Sequence, residues 1–306
     1  MLAIRRILLG LVVCFLSTGC RPTTHEQLGW RAEDFFDDPR VIALCEAILA
    51  DDLPAMQKAI DARADINAIG KHGMTPLLWA FPDHKPDRFR WLLERGANPN
   101  VCITKNLSKG LPLVDRGMSV THLAIDAMWP DYYRWVLDHG GDPNLLCEGQ
   151  REPLLHVAFQ ALVPNKKERI EALLDAGADI DAKGSGGGTV AMAAASLAYF
   201  DVALMLVDRG ARIDVYREGG NQQLAHCVIK NESKLERYSE ANRQAYDELV
   251  DRLEKRGVDF DKARADIARW KSWVGEPAEI RRRREQEVAE RKAREAAEEK
   301  RPKLAE

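Results

Sequence analysis

The feature that most constrains this chain is a six-residue segment that returns six times. It reads Ala62-Arg63-Ala64-Asp65-Ile66-Asn67, Arg95-Gly96-Ala97-Asn98-Pro99-Asn100 and His139-Gly140-Gly141-Asp142-Pro143-Asn144 in the first half. Ala176-Gly177-Ala178-Asp179-Ile180-Asp181, Arg209-Gly210-Ala211-Arg212-Ile213-Asp214 and Arg256-Gly257-Val258-Asp259-Phe260-Asp261 follow. Their fourth residues are spaced by 33, 44, 37, 33 and 47. A base period of 33 with insertions describes stacked units, each too small to bury its own apolar face alone.

A second segment stands upstream in the same frame. Repeat two has Thr75-Pro76-Leu77-Leu78-Trp79-Ala80. Its counterparts are Ser119-Val120-Thr121-His122-Leu123-Ala124, Pro153-Leu154-Leu155-His156-Val157-Ala158 and Thr189-Val190-Ala191-Met192-Ala193-Ala194. The Thr or Ser caps a first helix, and Pro76 at its first position gives up an N–H that has no partner inside a helix. Trp91-Leu92-Leu93, Trp135-Val136-Leu137, Ala172-Leu173-Leu174 and Leu204-Met205-Leu206 supply the apolar stripe of a second helix. Gly96, Gly140, Gly177 and Gly210 then end it in a left-handed conformation that a Cβ would penalise.

Together the two segments resemble the ankyrin repeat, over residues 40–261. The resemblance implies an all-α solenoid of about six helix–turn–helix repeats with hairpin loops, stacked on one continuous core. Residues 21–39 form an N-terminal linker and cap, in which Trp30, Phe35 and Phe36 are placed to cover the end of repeat one. Repeat six carries an insertion near residues 231–244 between its helices. Residues 262–275 read as a capping helix, with Ile267, Trp270 and Trp273 on one side. From residue 276 to 306 the chain is a charged helical or disordered tail, with i, i+4 pairs such as Arg281/Glu285 and Glu290/Arg294. Its apolar positions are mostly Ala, too small for a coiled-coil seam.

Residues 1–20 hold a basic start at Arg5 and Arg6, a ten-residue apolar stretch at 7–16, and Gly19-Cys20. That stretch is too short to span a bilayer core of about 30 Å. The order resembles the signal peptide and lipobox of bacterial lipoproteins, which implies acylation of Cys20. Leu16 stands one place further from the cysteine than the commonest pattern has it. Arg21, in place of Asp, points by the same resemblance to the outer membrane of a bacterial envelope, with the mature protein facing the periplasm. Four cysteines then remain. Cys45 and Cys227 read as buried small residues, while Cys102 and Cys147 occupy corresponding loops that a disulfide could join in an oxidising compartment.

Chemistry is sparse. His122 and His156 fill the histidine slot of the repeat, and His226 fits it loosely; in the ankyrin fold that imidazole bonds loop backbone. There is no clustered Cys/His spacing for a metal, no cofactor fingerprint and no nucleophile elbow. Residues 184–189 are glycine-rich but lack the Lys-Ser/Thr of a phosphate loop, and read as a flexible hairpin. No enzyme is expected. The formal charge of −3 divides unevenly, with +2 in residues 1–20, +3 from residue 280 onward and −8 between, which excludes nucleic acid as a partner of the body.

Binding remains, and a monomer with a protein partner is the expectation. The family's variable contact positions fall on Lys71, His72, Met74 and Asp83 in repeat two, Asp115, Arg116, Met118 and Asp126 in repeat three, and Gln150, Glu152 and Gln160 in repeat four. Residues 101–117 lengthen one finger, with Ile103, Leu107, Leu111, Leu113 and Val114 among Lys105 and Lys109. Long loops in compact folds are usually functional or disordered, and this one is assigned partner contact ahead of packing. The chain thus reads as an envelope-tethered ankyrin lipoprotein binding through the concave face of repeats two to four. The alternatives are an immunity lipoprotein against a secreted toxin and an outer membrane to cell wall linker working through the charged tail at 276–306.

Overall fold

The computed structural model describes residues 24–107, 114–149, 152–218, 222–273 and Gln286. All regular structure among them is helical. Two short helices, α1 (Thr24–Leu28) and α2 (Ala32–Phe35), precede six helix pairs: α3 (Pro39–Leu49) with α4 (Leu53–Asp61), α5 (Pro76–Ala80) with α6 (Pro86–Glu94), and α7 (Val120–Asp126) with α8 (Tyr132–Asp138). α9 (Leu154–Gln160) with α10 (Lys166–Asp175), α11 (Val190–Ser196) with α12 (Phe200–Asp208), and α13 (Leu224–Ile229) with α14 (Glu240–Lys255) complete them. First helices stack on first helices and second on second, and α15 (Phe260–Trp273) covers α13 at the far end. The result is the expected all-α solenoid.

Local chemistry sets the boundaries. Thr75, Ser119 and Thr189 accept hydrogen bonds from the backbone N–H three residues on, at 3.1, 3.4 and 3.4 Å, and so begin α5, α7 and α11. The glycine that ends each second helix has positive φ, from +80° at Gly96 to +99° at Gly210. In repeat one Arg63 takes that place at +65°. The insertion of repeat six becomes a 3-10 turn (Glu232–Arg237) and a lengthened second helix, 16 residues in α14 against nine in α6 and α12.

The core is not the single continuous body expected. Its buried side chains form two clusters that meet in repeat three. Tyr132 and Val136 of α8 face the N-terminal cluster, Ile125 and Tyr133 the C-terminal one. A buried charge lies at the junction. Arg169 of α10, 0% exposed, donates to the carbonyls of Ala124 (3.2 Å), Ile125 (2.7 Å) and Trp129 (3.3 Å) and stands 4.8 Å from the Tyr133 ring. It satisfies carbonyls left without intrahelical partners at the end of α7. Arg88 of α6, eight residues before its glycine as Arg169 is before Gly177, does the same for Ile48 at 2.5 Å and pairs with Asp83.

The N-terminal segment reaches further than the end of repeat one. The Trp30 and Phe35 rings lie 6.0 and 6.4 Å from that of Trp79 in repeat two, and Trp30 Nε1 donates to the Leu107 carbonyl at 2.8 Å. Phe36 lies against Gly70, where any Cβ would stand 2.6 Å from the Phe35 carbonyl oxygen. Trp79 is large and apolar and its first helix is short, so the strap covers what repeat one alone leaves exposed.

Candidate functional site

The fingers that join successive repeats are stitched by one recurring side chain. Asn67 donates from Nδ2 to the Gly96 carbonyl (3.0 Å) and accepts from Asn98 N (2.7 Å). Asn100 repeats this with Gly140 and Asp142 (2.7 and 2.9 Å), and Asn144 with Gly177 and Asp179 (2.9 and 2.8 Å). In the next finger Asp181 keeps the accepting half, from Arg212 N at 2.9 Å. An ionised carboxylate has no proton to donate, so the other half is absent there.

Two further ties hold the fingers. Cys102 and Cys147 form a disulfide with their Cα atoms 5.6 Å apart, within the normal range. It joins the second and third fingers. His156 Nε2 donates to the Ala182 carbonyl at 3.0 Å, the backbone role expected of the slot. His122 is bonded likewise to the Leu145 backbone, the equivalent loop position, and pairs its Nδ1 with Ser119 Oγ at 3.0 Å. His226 accepts from Gln223 N at 3.0 Å while facing Asp266 of α15. Burial holds the His25, His122 and His156 imidazoles below their ordinary range, His122 down to about 4. Burial also raises the Cys45 thiol far above its usual range, which makes it inert.

The residues marked for partner contact fare unevenly. Lys71, His72, Lys105, Arg116 and Gln160 are exposed. Lys71 lies 3.8 Å from Asp37, and Arg116 reaches Glu148 on the next finger at 3.0 Å. Met74 is 0% exposed and unavailable to a partner, because it turns into the N-terminal core. Asp83 is committed to the buried Arg88 guanidinium. Glu152 accepts from the Ser185 hydroxyl and lies 3.8 Å from His156, so it braces the next finger. Asp115, Met118 and Asp126 are half-buried, Met118 against the core and Asp126 close enough to influence Arg169. Lys109 and Gln150 lie outside the described residues, as do Leu111, Leu113, Cys20, residues 1–20 and the tail from 276 save Gln286.

The inserted finger is largely structural where it is described. Ile103, Leu107 and Val114 are buried in the N-terminal cluster, and its two arms pair through Ile103 N to Met118 O (2.7 Å) and Leu107 N to Val114 O (3.0 Å). This overturns partner contact for those three side chains. The 184–189 hairpin is closed by Gly184 N to Gly188 O (3.0 Å), Gly187 N to Gly184 O (2.8 Å) and the Glu152–Ser185 contact, so it is pinned instead of loose.

Seven large apolar side chains stand exposed among the described residues, and they fall on two edges. Ile69, Leu146 and Tyr216 occupy one equivalent position, four after the fourth residue of the repeat's closing segment, at the tips of the first, third and fifth fingers. Met128, Leu162, Leu197 and Tyr199 lie at the opposite edge, on the turns between the helices of repeats three, four and five. The first row was readable in the sequence by carrying the register four residues past Asp65, Asp142 and Arg212. The contact positions taken from the resemblance begin further on and missed it.

Among the described residues no group of three His, Cys, Asp or Glu could hold a metal, and no helix is long and apolar enough to cross a membrane. A groove of about 470 Å³ between α12 and α14 is open and lined by Asp201, Met205, Arg209, Gln244 and Glu248. It holds no buried nucleophile or acid–base pair.

Fingers, stitched carbonyls and paired helices define an ankyrin-repeat solenoid, a fold that is typically a non-catalytic scaffold for protein interaction. Residues 72–103 match the family model described as Ankyrin repeat. No curated protein matches the chain. Among solved structures it is similar to an ankyrin repeat domain (ABAYE2397) from Acinetobacter baumannii AYE, at 18% identity and a TM-score of 0.52, over 68% of this chain and 96% of that one. Similarity to EF0377, an ankyrin repeat protein, is at 20% identity and TM-score 0.49, over 70% and 97% of the two chains. A chain from the complex of the Bd0816 predatory endopeptidase from Bdellovibrio bacteriovorus with immunity protein Bd3460 matches at 19% identity and TM-score 0.47, over 67% and 96%. Only the first of these three passes a TM-score of 0.5, and at 18% identity it supports the fold alone.

Proposed function

We propose that this chain is an envelope-tethered solenoid that holds a protein partner along its fingertips, facing the periplasm from the outer membrane. The observation that carries the binding reading is the row Ile69, Leu146 and Tyr216, three exposed apolar side chains at one equivalent position. Apolar and aromatic anchors of this kind dominate protein interfaces. Lys71 and His72 on the first finger and Lys105 and Arg116 on the second are exposed and supply a polar rim. The strap over Trp79 shifts the site from the concave face of repeat two to the finger edge.

Support for the envelope comes from two sides. Basic residues, a short apolar stretch and Gly19-Cys20 follow one another in export order. The Cys102–Cys147 disulfide suits an oxidising compartment and is foreign to a reducing one. Two or more acyl chains on Cys20 would give the stable attachment that a single chain cannot.

A photocrosslinking residue at Leu146 or Tyr216 tests the binding reading in intact cells. Both positions should trap the same protein, and one at Glu248 on the second-helix side should trap nothing. Adducts confined to Gln160 or Glu248 would place the partner elsewhere. Should the trapped protein be a secreted toxin, the reading becomes that of an immunity protein. Separately, Cys20→Ser should move the chain from the membrane fraction to the soluble one.

A further inference from the structure

The second exposed row lies at the turn edge, opposite the fingers, and the partner reading leaves it unused. Met128 (53% exposed), Leu162 (63%), Leu197 (64%) and Tyr199 stand on successive turns. Two of them recur in register, Met128 and Leu162, nine residues after the position before their first helix; Leu197 stands one place earlier on the next turn. The turns form one edge, because each touches the next. His84 stacks on Trp129 at 4.5 Å, Arg169 donates to the Trp129 carbonyl, Lys166 Nζ lies 4.7 Å from the Tyr199 ring, and Asn242 donates to the Ala198 carbonyl at 3.0 Å.

The start of the described chain lies toward the same edge. His25 Nε2 bonds the Trp79 carbonyl in the last turn of α5 at 2.8 Å, and its ring is near enough to Asp83 and Arg88 to feel their charges. From there the strap runs up to the fingers, meeting Leu107 through Trp30 and Gly70 through Phe36. Cys20 is four residues before Thr24, a reach of at most about 14 Å.

We propose that the turn edge rests in the interfacial zone of the lipid bilayer, with Met128, Leu162, Leu197 and Tyr199 entering it and the fingers held away. This rests on acylation of Cys20 as read above. A tether this short makes the apolar contact effectively intramolecular, so weak side-chain insertions suffice. The contact is apolar and not electrostatic: Lys85 pairs with Asp51 at 3.4 Å, and the charges of Lys166 and Lys167 are offset in number by Asp131 and Asp201. Tyr199 has the amphipathic ring favoured at such interfaces. One geometry thus serves both edges: anchoring the turns presents the fingertip row to the periplasm.

The test is amide hydrogen exchange on the acylated full-length mature protein, reconstituted in vesicles of phosphatidylethanolamine and phosphatidylglycerol. Wild type is compared with Leu162→Asp/Leu197→Asp. Amides at residues 127–131, 161–165 and 196–200 should exchange at least fivefold more slowly in wild type, with residues 69–72 and 145–148 alike in both. Equal rates at the turns, or protection of the fingertips instead, would overturn the docking. So would the same difference in soluble Cys20→Ser protein, where it would report local stability. A Cys20→Ser chain that stays in the membrane fraction overturns the tether, whereas the vesicle comparison judges the turn edge independently.

Discussion

At the scale of single residues, the finger ladder gives the sharpest energetic expectation. Asn144 alone satisfies both the Gly177 carbonyl and the Asp179 N–H. Asn144→Ala should destabilise the protein by about 1–3 kcal/mol in urea unfolding. Arg169→Ala leaves three carbonyls unsatisfied at the junction of the two core clusters and should cost about 3 kcal/mol or more. The histidines fix the pH response. The folded state holds His25, His122 and His156 below the unfolded value near 6.5, His122 at about 4. The unfolded chain therefore binds protons that the folded chain refuses. Stability should be full above about pH 7, fall as pH drops through 6.5, and lose up to about 3 kcal/mol through His122 by pH 4. His122→Leu, which copies the Leu78 of repeat two, should flatten that fall; an unchanged pH profile would count against this role. The histidine slot and the capping Thr and Ser were legible in the sequence because their bonds are local or recur with the period. Arg88 and Arg169 were not, since their partners lie about 40 residues away and only the folded stack shows which carbonyls they meet.

Among the elements, the N-terminal strap departs most from expectation. Its aromatic residues were readable as a cap, but their target depended on the inserted finger folding back to offer the Leu107 carbonyl. Nothing periodic encodes that meeting. Trp30→Ala removes a buried ring and a buried hydrogen bond, and should lower the stability of the N-terminal half by about 3–5 kcal/mol. Thermal unfolding followed at Trp79 checks it. The same finger shows why apolar residues in a loop read as contacts: Ile103, Leu107 and Val114, scattered among polar residues, pattern alike for a partner and for the chain's own core. The helix pairs, by contrast, were placed by glycine, proline and the apolar stripe, signals that act within one turn of the element they bound.

Across the whole molecule, two core clusters meet at repeat three, and the Cys102–Cys147 bridge ties fingers on either side of that repeat. Closing a loop of 45 residues should contribute up to about 4 kcal/mol. Cys102→Ser/Cys147→Ser should lower the unfolding midpoint and split one transition into two, as nearest-neighbour coupling in a solenoid weakens at a single interface. A single unshifted transition would show that the bridge carries no such load. The sequence announced the repeat and the paired loop cysteines, but not the division of the core, which depends on which side chains of α8 turn each way. The central claim belongs to this scale too, because the fingertip row exists only when the repeats are stacked. Its most direct test is the affinity of the captured partner for an Ile69→Asp/Leu146→Asp/Tyr216→Asp chain, measured by calorimetry. Affinity should fall at least a hundredfold with the melting temperature held, since all three side chains are exposed. Undiminished affinity in a folded triple variant would contradict the account.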